Sequence, residues 1–435
     1  MALGIIGMNV LGTSIAAVAA QKGVEVLCTD LDEEIVKGIE EGELAGYERG
    51  LRELFNVHVK KGLITVTSNY QRSIERASLL ILTYETIERD QMLPDLRLVE
   101  KGIRNIGRFL KKDAVIILTG ILPPGTAEKM ETLLNNCLEE RESKVKAYVV
   151  CAPQHPPYGR ILDVLMSTHH YTIGSDEPVA MQRLMTEFAK NGVNPSRVRF
   201  ENRKETELSA FLKIALDKTM QGCLYEMIRL SESFGCDTSK VMRALEEKWQ
   251  KPNFSYPGFL TGTPAENKLR ELTNFAHDKG LSLPIVEGAT QENRAHAQWM
   301  ASAIKDLLTS EENHLLVLGL TPYGGTDQLR DNPSLEVIDA LADENTFLDI
   351  FCKAERNQMK WRLFKKRDVT RCIDDSKDFK KAYDALIVLG SVEGINMEIV
   401  KKLTENNPTM PVIDPYKLFI AKKDTFKDRY HPLWN

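Results

Sequence analysis

Several features that mark other classes of protein are missing from this sequence of 435 residues. No apolar run reaches the roughly 18 residues of a membrane-spanning helix, so we expect no membrane partner. Basic residues are not in excess, since 57 Lys and Arg stand against 62 Asp and Glu for a net charge of −5. A nucleic-acid partner is therefore not expected either, because the chain has no surplus positive charge to neutralise phosphates.

The cysteines form no recognisable motif. Seven are dispersed along the chain without a C-x-x-C pair, namely Cys28, Cys137, Cys151, Cys223, Cys236, Cys352 and Cys372. An odd, scattered set is typical of reduced thiols in a cytoplasmic protein, not of a disulfide or zinc framework. We predict a cytoplasmic protein with free thiols and no metal site. The N-terminus is apolar, but no basic residue precedes Lys22, so we expect no secretory signal peptide.

Two regions of the sequence alternate between short apolar segments and amphipathic ones. In residues 1–200 the predicted strands are "LGIIG", "VEVLCTD", "LITVT", "SLLILTY", "AVIILTG", "KAYVVCAP" and "HYTIG". A second set, "HLLVLGL", "TFLDIFCKA", "DALIVLG" and "MPVID", begins near residue 314. Strands that alternate with helices predict parallel, doubly wound α/β sheets, here two of them.

A long helical segment lies between the two alternating regions. Helical periodicity runs through residues 205–247 with a break near Gly235, and the Pro- and Gly-rich stretch 251–264 predicts a loop. We therefore predict three domains: a dinucleotide-binding Rossmann domain at 1–200, a helical central domain at 201–310 and a Rossmann-like domain at 311–435. A helix of this length suits subunit packing, and we predict a homodimer through residues 205–234.

The first turn of the chain follows the dinucleotide fingerprint G-x-G-x-x-G with one exception. Gly7 and Gly12 fill the first and third positions, Asn9 replaces the second glycine, and Asp30 closes the next strand. A carboxylate there accepts from a ribose 2′-hydroxyl and disfavours a 2′-phosphate, which favours NAD over NADP. Asn tolerates positive φ, so we expect the turn to survive, with the Asn9 side chain intruding on the pyrophosphate.

The candidate cofactor-binding residues are Gly7, Asn9, Val10, Leu11, Gly12, Asp30 and Ile121. Two interpretations stay open. Either the turn still binds NAD, or it is a Rossmann scaffold that has lost tight binding.

Six phrases occur in a characteristic order along the chain. They are "YERGLRELF", "LPDLRLVEKGI", "LTGILPPGTAEKM", "CAPQH", "LYEMIRLSESFGCD" and "LGLTPYGGTDQLRDNPSLEVIDAL". In this order and spacing they resemble the UDP-glucose/GDP-mannose dehydrogenase family over nearly the whole chain. The resemblance implies an NAD-binding domain, a dimerising helical middle and a UDP-sugar-binding domain, with the active site between the sheets. It also implies oxidation of a sugar C6 alcohol to a carboxylate by two hydride transfers through a cysteine thioester.

The residues that carry this chemistry in the family are replaced here. The family's loop cysteine aligns with Thr263, and no cysteine lies between residues 237 and 351. Its lysine and asparagine align with Ala210 and Ile214, and its carboxylate aligns with Gln154. An amide accepts no proton, and a hydroxyl stays protonated near pH 7 without a strong base.

Two nearby features are possible substitutes for the missing groups. Lys213 and Asp217 repeat the four-residue spacing about 60° round the helix, where an exposed ion pair is the simpler interpretation. His155 is a possible base, although a structural role is the commoner one.

On the substrate side, the resemblance implies a nucleotide sugar or other small anionic ligand. Ile121 replaces a hydroxyl near the nicotinamide and Tyr323 replaces a lysine, whereas Arg330 and Asn293 are retained. The candidate substrate-binding residues are Tyr256, Gly258, Phe259, Tyr323 and Arg330. We expect a binding, regulatory or repurposed member of the family without ordinary four-electron oxidation. The alternative is an NAD-dependent oxidoreductase acting on the CH–OH group of a nucleotide sugar.

Overall fold

The fold is that of a computed structural model. It describes residues 2–86, 94–167, 170–190, 194–249, 266–321, 324–329, 332–352, 369–391, 395, 397–415, 417, 419 and 423–433. The chain packs as two compact units. The first holds Met1–Ile214 with Arg270–Gly280, and the second holds Ala215–Leu269 with Leu281–Asn435. The three-domain division stays a prediction.

The first unit is built on an eight-stranded sheet in the order β3-β2-β1-β4-β5-β6-β7-β8. The strands are β1 (Ala2–Ile6), β2 (Val26–Thr29), β3 (Ile64–Val66), β4 (Ala77–Leu82), β5 (Ala114–Leu118), β6 (Ala147–Cys151), β7 (Tyr171–Gly174) and β8 (Val198–Glu201). Neighbouring strands are parallel except β6 and β7, which are antiparallel. The strand order reverses between β1 and β4, where open α/β sheets form their ligand crevice.

Eight helices belong to this sheet. They are α1 (Val10–Gln21), α2 (Glu33–Glu40), α3 (Leu51–Lys60), α4 (Tyr70–Arg76), α5 (Arg97–Phe109), α6 (Thr126–Glu139), α7 (Ile161–Ser167) and α8 (Pro178–Lys190). The central strands β1 and β5 are buried along their whole length, as strands covered by helices on both faces must be. One apolar cluster joins β4 and β5 to α5 and α6, and another joins β1 and β2 to α1, α3 and α7.

Four further helices follow along the chain. α9 (Arg203–Ser233) runs for 31 residues, and it is followed by α10 (Thr238–Trp249), α11 (Glu266–Asp278) and α12 (Pro284–Lys305). The predicted break near Gly235 is confirmed, since this residue has φ +65° between α9 and α10. A positive φ at this point suits glycine and ends the helix.

The second unit contains a six-stranded parallel sheet in the order β11-β10-β9-β12-β13-β14. Its strands are β9 (Asn313–Leu318), β10 (Thr346–Phe351), β11 (Thr370–Ile373), β12 (Ala385–Val388), β13 (Val412–Ile413) and β14 (Tyr430–His431). Its further helices are α13 (Pro333–Leu341), α14 (Met397–Asn406) and α15 (Lys423–Phe426). The prediction of two Rossmann-like α/β sheets with long helices between them in sequence is therefore confirmed.

One pair of cysteines contradicts the prediction that all seven are reduced. Cys352 and Cys372 form a disulfide with their Cα atoms 6.5 Å apart. The prediction was wrong because β11, which carries Cys372, was not recognised, and its pairing with β10 brings the two residues together. The other five cysteines are free.

No helix in the described part of the chain is both long and apolar enough to cross a membrane.

Candidate functional site

The turn between β1 and α1 lies at the carboxyl edge of the first sheet, where the strand order reverses. Gly7 has φ +103°, and a Cβ on it would lie 2.4 Å from the Thr83 hydroxyl oxygen. A Cβ on Gly12 would lie 2.0 Å from the carbonyl oxygen of Gly7. Neither position has room for a side chain. The turn therefore has the tight geometry that a dinucleotide fingerprint requires.

Asn9 caps helix α1. Its side-chain oxygen accepts a hydrogen bond from the Gly12 amide at 2.9 Å, and its side-chain nitrogen donates to the Thr83 carbonyl at 3.1 Å. The turn does not use the positive φ that asparagine tolerates, because the φ of Asn9 is −66° and Gly7 takes the left-handed conformation. Val10 and Leu11 form the first two helical positions, whose amides have no partner within a helix and suit an anion.

Asp30 ends β2 beside this turn and is almost fully buried. Its carboxylate accepts hydrogen bonds from the Met8 amide at 2.5 Å and the Asp32 amide at 3.0 Å. A third bond comes from the Tyr84 hydroxyl at 3.0 Å. Asp30 thus ties the loops after β1 and β2 together, in addition to facing the crevice.

Tyr84 was missed as a site residue. The segment "SLLILTY" was predicted to be strand to its end, but β4 stops at Leu82, so Tyr84 lies beyond the sheet edge. Its hydroxyl also accepts a hydrogen bond from the Leu31 amide at 2.7 Å. Burial raises the pKa of this hydroxyl, so it remains a donor to Asp30. The sequence signal that could have identified it is an aromatic residue two positions after β4, the strand next to the point where the strand order reverses.

Ile121 and Gln154, the candidate residues near β5 and β6, offer no base. Ile121 is buried. The backbone amide of Gln154 donates to the Thr119 carbonyl at 2.8 Å, and its side-chain amide donates to the Ala152 carbonyl at 3.3 Å. Gln154 also lines a mostly apolar cavity of about 220 Å³ on the sheet face between α1 and α8. His155 beside it is half-buried.

On helix α9, the positions that correspond to the family's catalytic residues lie on a different face from their possible substitutes. Ile214 is buried and Ala210 is half-buried, whereas Lys213 and Asp217 are both exposed. The shift of three residues turns the charged pair to another face of the helix. Lys213 and Asp217 therefore do not restore a lysine and an asparagine at positions 210 and 214.

Glu207, also on α9, was missed by sequence reasoning. Its carboxylate accepts hydrogen bonds from the amides of Gly125 and Ala127, at 2.6 and 2.7 Å, and so caps the helix that follows the P-P-G-T motif. Burial raises the pKa of Glu207 to about 7, although the two amide bonds act in the opposite direction. The amino end of α6 is thus closed by a carboxylate of the chain itself. The separation of 82 residues left no local signal.

In the second unit, the strand order reverses between β9 and β12. A Cβ on Gly319, which has φ +70°, would lie 2.3 Å from the Ser391 carbonyl oxygen. Asn332 accepts from the Ser334 amide at 3.0 Å and donates to the Leu320 carbonyl at 2.7 Å, which starts α13 at Pro333. This part of the family signature therefore has a structural role in shaping the crevice.

Several predicted substrate residues lie outside the described residues. They are Tyr256, Gly258, Phe259, Thr263, Tyr323 and Arg330, and the side chain of Asn293 is likewise not described. Their roles stay predictions. Within the ranges given above, no three His, Cys, Asp or Glu side chains are grouped so as to hold a metal ion.

Residues 1–190 match the NAD-binding domain of the UDP-glucose/GDP-mannose dehydrogenase family. This part of the chain therefore resembles the NAD-binding domain of that family. It is 26% identical over 345 residues to UDP-glucose 6-dehydrogenase of Pseudomonas aeruginosa, covering 78% of this chain and 76% of that one. It is 25% identical over 349 residues to UDP-N-acetyl-D-mannosamine dehydrogenase of Pyrococcus horikoshii, covering 78% and 81%.

A solved UDP-glucose dehydrogenase of Pyrobaculum islandicum shares the fold of this chain, with a TM-score of 0.80 at 19% identity. The likeness covers 100% of this chain and 98% of that one.

NAD is the cofactor that the match to an NAD-binding domain indicates. The tight turn and the first amides of α1 suit a pyrophosphate, since neither Gly7 nor Gly12 has room for a Cβ. Asp30 follows β2, where the fingerprint has the acidic residue for a ribose hydroxyl, and it accepts a hydrogen bond from Tyr84. The residues present therefore fit the cofactor.

Proposed function

We propose that this protein binds NAD and a nucleotide sugar, or a similar small anionic ligand, without performing four-electron oxidation of the sugar. The observation that carries the proposal is the non-polar pair on α9. Ala210 and Ile214 occupy the positions of the family's lysine and asparagine, and Lys213 and Asp217 are exposed on another face. A methyl group and a butyl group neither move a proton nor stabilise an oxyanion.

Two further replacements support the same proposal. Four-electron oxidation requires a thiolate that holds the aldehyde for the second hydride transfer, and no cysteine lies between residues 237 and 351. Hydrolysis of the thioester requires an activated water, and Gln154 offers an amide whose side chain already donates to the Ala152 carbonyl. The chain thus lacks a base at the position where the family has a carboxylate.

A second candidate function is a two-electron oxidation of a nucleotide-sugar CH–OH group with NAD. The intact geometry of the glycine turn favours it, because Gly7 and Gly12 still have no room for a Cβ and the turn keeps its tight packing. One hydride transfer needs no thioester.

We also propose a homodimer formed through helix α9. One face of this helix exposes apolar side chains at spacings of three, four and eleven residues: Leu208, Leu212, Leu216, Met227 and Leu230. Leu216 and Leu230 are each 60% exposed, and Phe234 extends the same face past the helix end. An exposed apolar stripe of this length marks an interaction surface. We further propose a cytoplasmic location, supported by the five cysteines that are free.

A thermal-shift comparison tests the proposed ligands. NAD, NADH, UDP-glucose, UDP-N-acetylhexosamines and GDP-mannose are added to wild type and to Arg330→Ala. A ligand at 100 times its dissociation constant stabilises the folded chain by about 2.7 kcal/mol. We expect NAD to stabilise both proteins and one nucleotide sugar to stabilise wild type alone, because a guanidinium binds phosphate through paired hydrogen bonds. No stabilisation by any nucleotide sugar would contradict the proposal.

A further inference from the structure

The hydroxyl of Tyr84 donates to Asp30, the residue that the fingerprint assigns to the adenosine ribose of NAD. We propose that Tyr84 is an internal ligand of Asp30, that it must leave before the ribose binds, and that it thereby sets the affinity for NAD. The inference rests on NAD as the cofactor of the first unit. It does not depend on which reaction, if any, follows.

The contacts of Tyr84 hold its ring across the crevice. Its hydroxyl donates to Asp30 at 3.0 Å and accepts from the Leu31 amide at 2.7 Å. Its ring lies against Gly7, since a Cβ on that glycine would be 3.2 Å from the ring. Tyr84 itself is 8% exposed. The side chain therefore fills the space between the end of β4 and the loops after β1 and β2.

The hydrogen bonds of Asp30 show why the two hydroxyls compete. The carboxylate is 4% exposed and accepts from Met8, Asp32 and Tyr84. The first two donors are backbone amides, fixed by the loops that form the crevice. Only the Tyr84 donor belongs to a side chain. Three of the roughly four acceptor sites of the carboxylate are occupied, and Tyr84 lies against a residue that is only 4% exposed, so a ribose hydroxyl competes with the tyrosine hydroxyl for this group.

Replacement of the tyrosine lowers the apparent affinity for NAD. The ribose forms a bond to Asp30 only after an equivalent bond has been broken, and the Leu31 amide loses its acceptor. When the binding-competent conformer is a minor fraction, the apparent dissociation constant equals the intrinsic constant divided by that fraction. Removal of the competing hydroxyl raises the fraction.

Calorimetric titration of NAD into wild type, Tyr84→Phe and Tyr70→Phe tests the inference. Tyr84→Phe keeps the ring and removes the hydroxyl, and we expect it to bind NAD about tenfold more tightly, as for a hydrogen bond to a charged group. Tyr70→Phe is the matched control, because its hydroxyl lies 3.4 Å from that of Tyr84 and makes no bond to Asp30. We expect its affinity to stay within about twofold of wild type. Tyr84→Leu gives the same test if the phenylalanine variant fails to fold.

A second titrant identifies the group that competes. NAD that lacks the adenosine 2′-hydroxyl cannot donate this hydrogen bond to Asp30. Tyr84→Phe should therefore bind the analogue no more tightly than wild type does. Equal NAD affinity for wild type and Tyr84→Phe would overturn the inference while leaving the cofactor assignment intact. A gain of the same size with the deoxy analogue would also overturn it, because the hydroxyls would not be competing. Failure of every variant to bind NAD would overturn both the inference and the NAD part of the proposed function, whereas the oxidation claim is tested separately by NADH formation.

Discussion

At the residue scale, Asn9 replaces a glycine and takes a role that glycine cannot fill. It caps α1 by accepting from the Gly12 amide, which withholds one of the helix's first amides from an incoming phosphate. The substitution therefore favours the stability of the empty turn over anion binding. The side chains of Asn9 and Tyr84 are both expected to weaken NAD binding. Asn9 is bonded to the Gly12 amide and Tyr84 to the Asp30 carboxylate, the groups proposed to bind the cofactor.

Asn9→Gly is expected to tighten NAD binding, because it frees the Gly12 amide and clears the approach to the pyrophosphate. Loss of the cap should cost only a few tenths of a kcal/mol of stability. Asn9→Asp is the matched control, since it keeps the cap acceptor and adds a negative charge that should weaken binding. Calorimetry measures all three proteins. Equal affinity in wild type and Asn9→Gly would show that the asparagine does not hinder the cofactor.

Glu207 provides a prediction about pH. Burial raises its pKa from the usual 4.5 to about 7, so the folded chain favours the protonated form. The resulting stabilisation is complete below pH 4.5 and disappears as the pH rises through 7. Relative to Glu207→Gln, which does not titrate, wild type should lose about 3 kcal/mol of unfolding free energy across this range. Urea unfolding of both proteins at several pH values measures the difference, and a difference independent of pH would refute the assignment.

At the scale of the element, the contact between β1 and α1 depends on a glycine. A Cβ on Gly12 would lie 2.0 Å from a backbone oxygen, so Gly12→Ala must push the helix off the strand. We expect a loss of about 1–3 kcal/mol in stability together with weaker NAD binding. Gly288→Ala in α12 is the matched control, because a Cβ there meets nothing within 4 Å. Thermal unfolding should show the control unchanged or stabilised, and equal destabilisation of both variants would contradict the account.

The elements differ in how much of them the sequence could predict. Long apolar runs such as β1 and β5 were predicted because burial on both faces requires them. The strands β8, β11 and β14 were missed, since their sequences, VRFE, TRCI and YH, contain charged or polar residues and no apolar run. The Tyr84–Asp30 bond spans 54 residues and has no local signal. Asp30 was correctly placed at the end of β2 because the fingerprint is local, whereas its bonded partners depend on tertiary contacts.

At the scale of the whole molecule, the proposed homodimer would form through the exposed apolar face of α9. Leu216→Glu places a charge in this face and should convert a dimer to a monomer, because an unpaired charge in an apolar interface is costly. Leu281→Glu is the matched control, since Leu281 is 61% exposed at a position away from α9. Sedimentation velocity should give dimeric mass for wild type and the control, and half that mass for Leu216→Glu. A monomeric mass for wild type at every concentration would contradict the proposed dimer.

We propose that this chain keeps the nucleotide-binding framework of the dehydrogenases it resembles and lacks the groups for four-electron oxidation. The most direct measurement is NADH formation with NAD and UDP-glucose, UDP-N-acetylhexosamines or GDP-mannose, under conditions in which calorimetry shows NAD bound. We expect no NADH above background. One NADH per sugar would support the two-electron alternative. Two NADH per sugar with a uronate product would contradict the proposal outright.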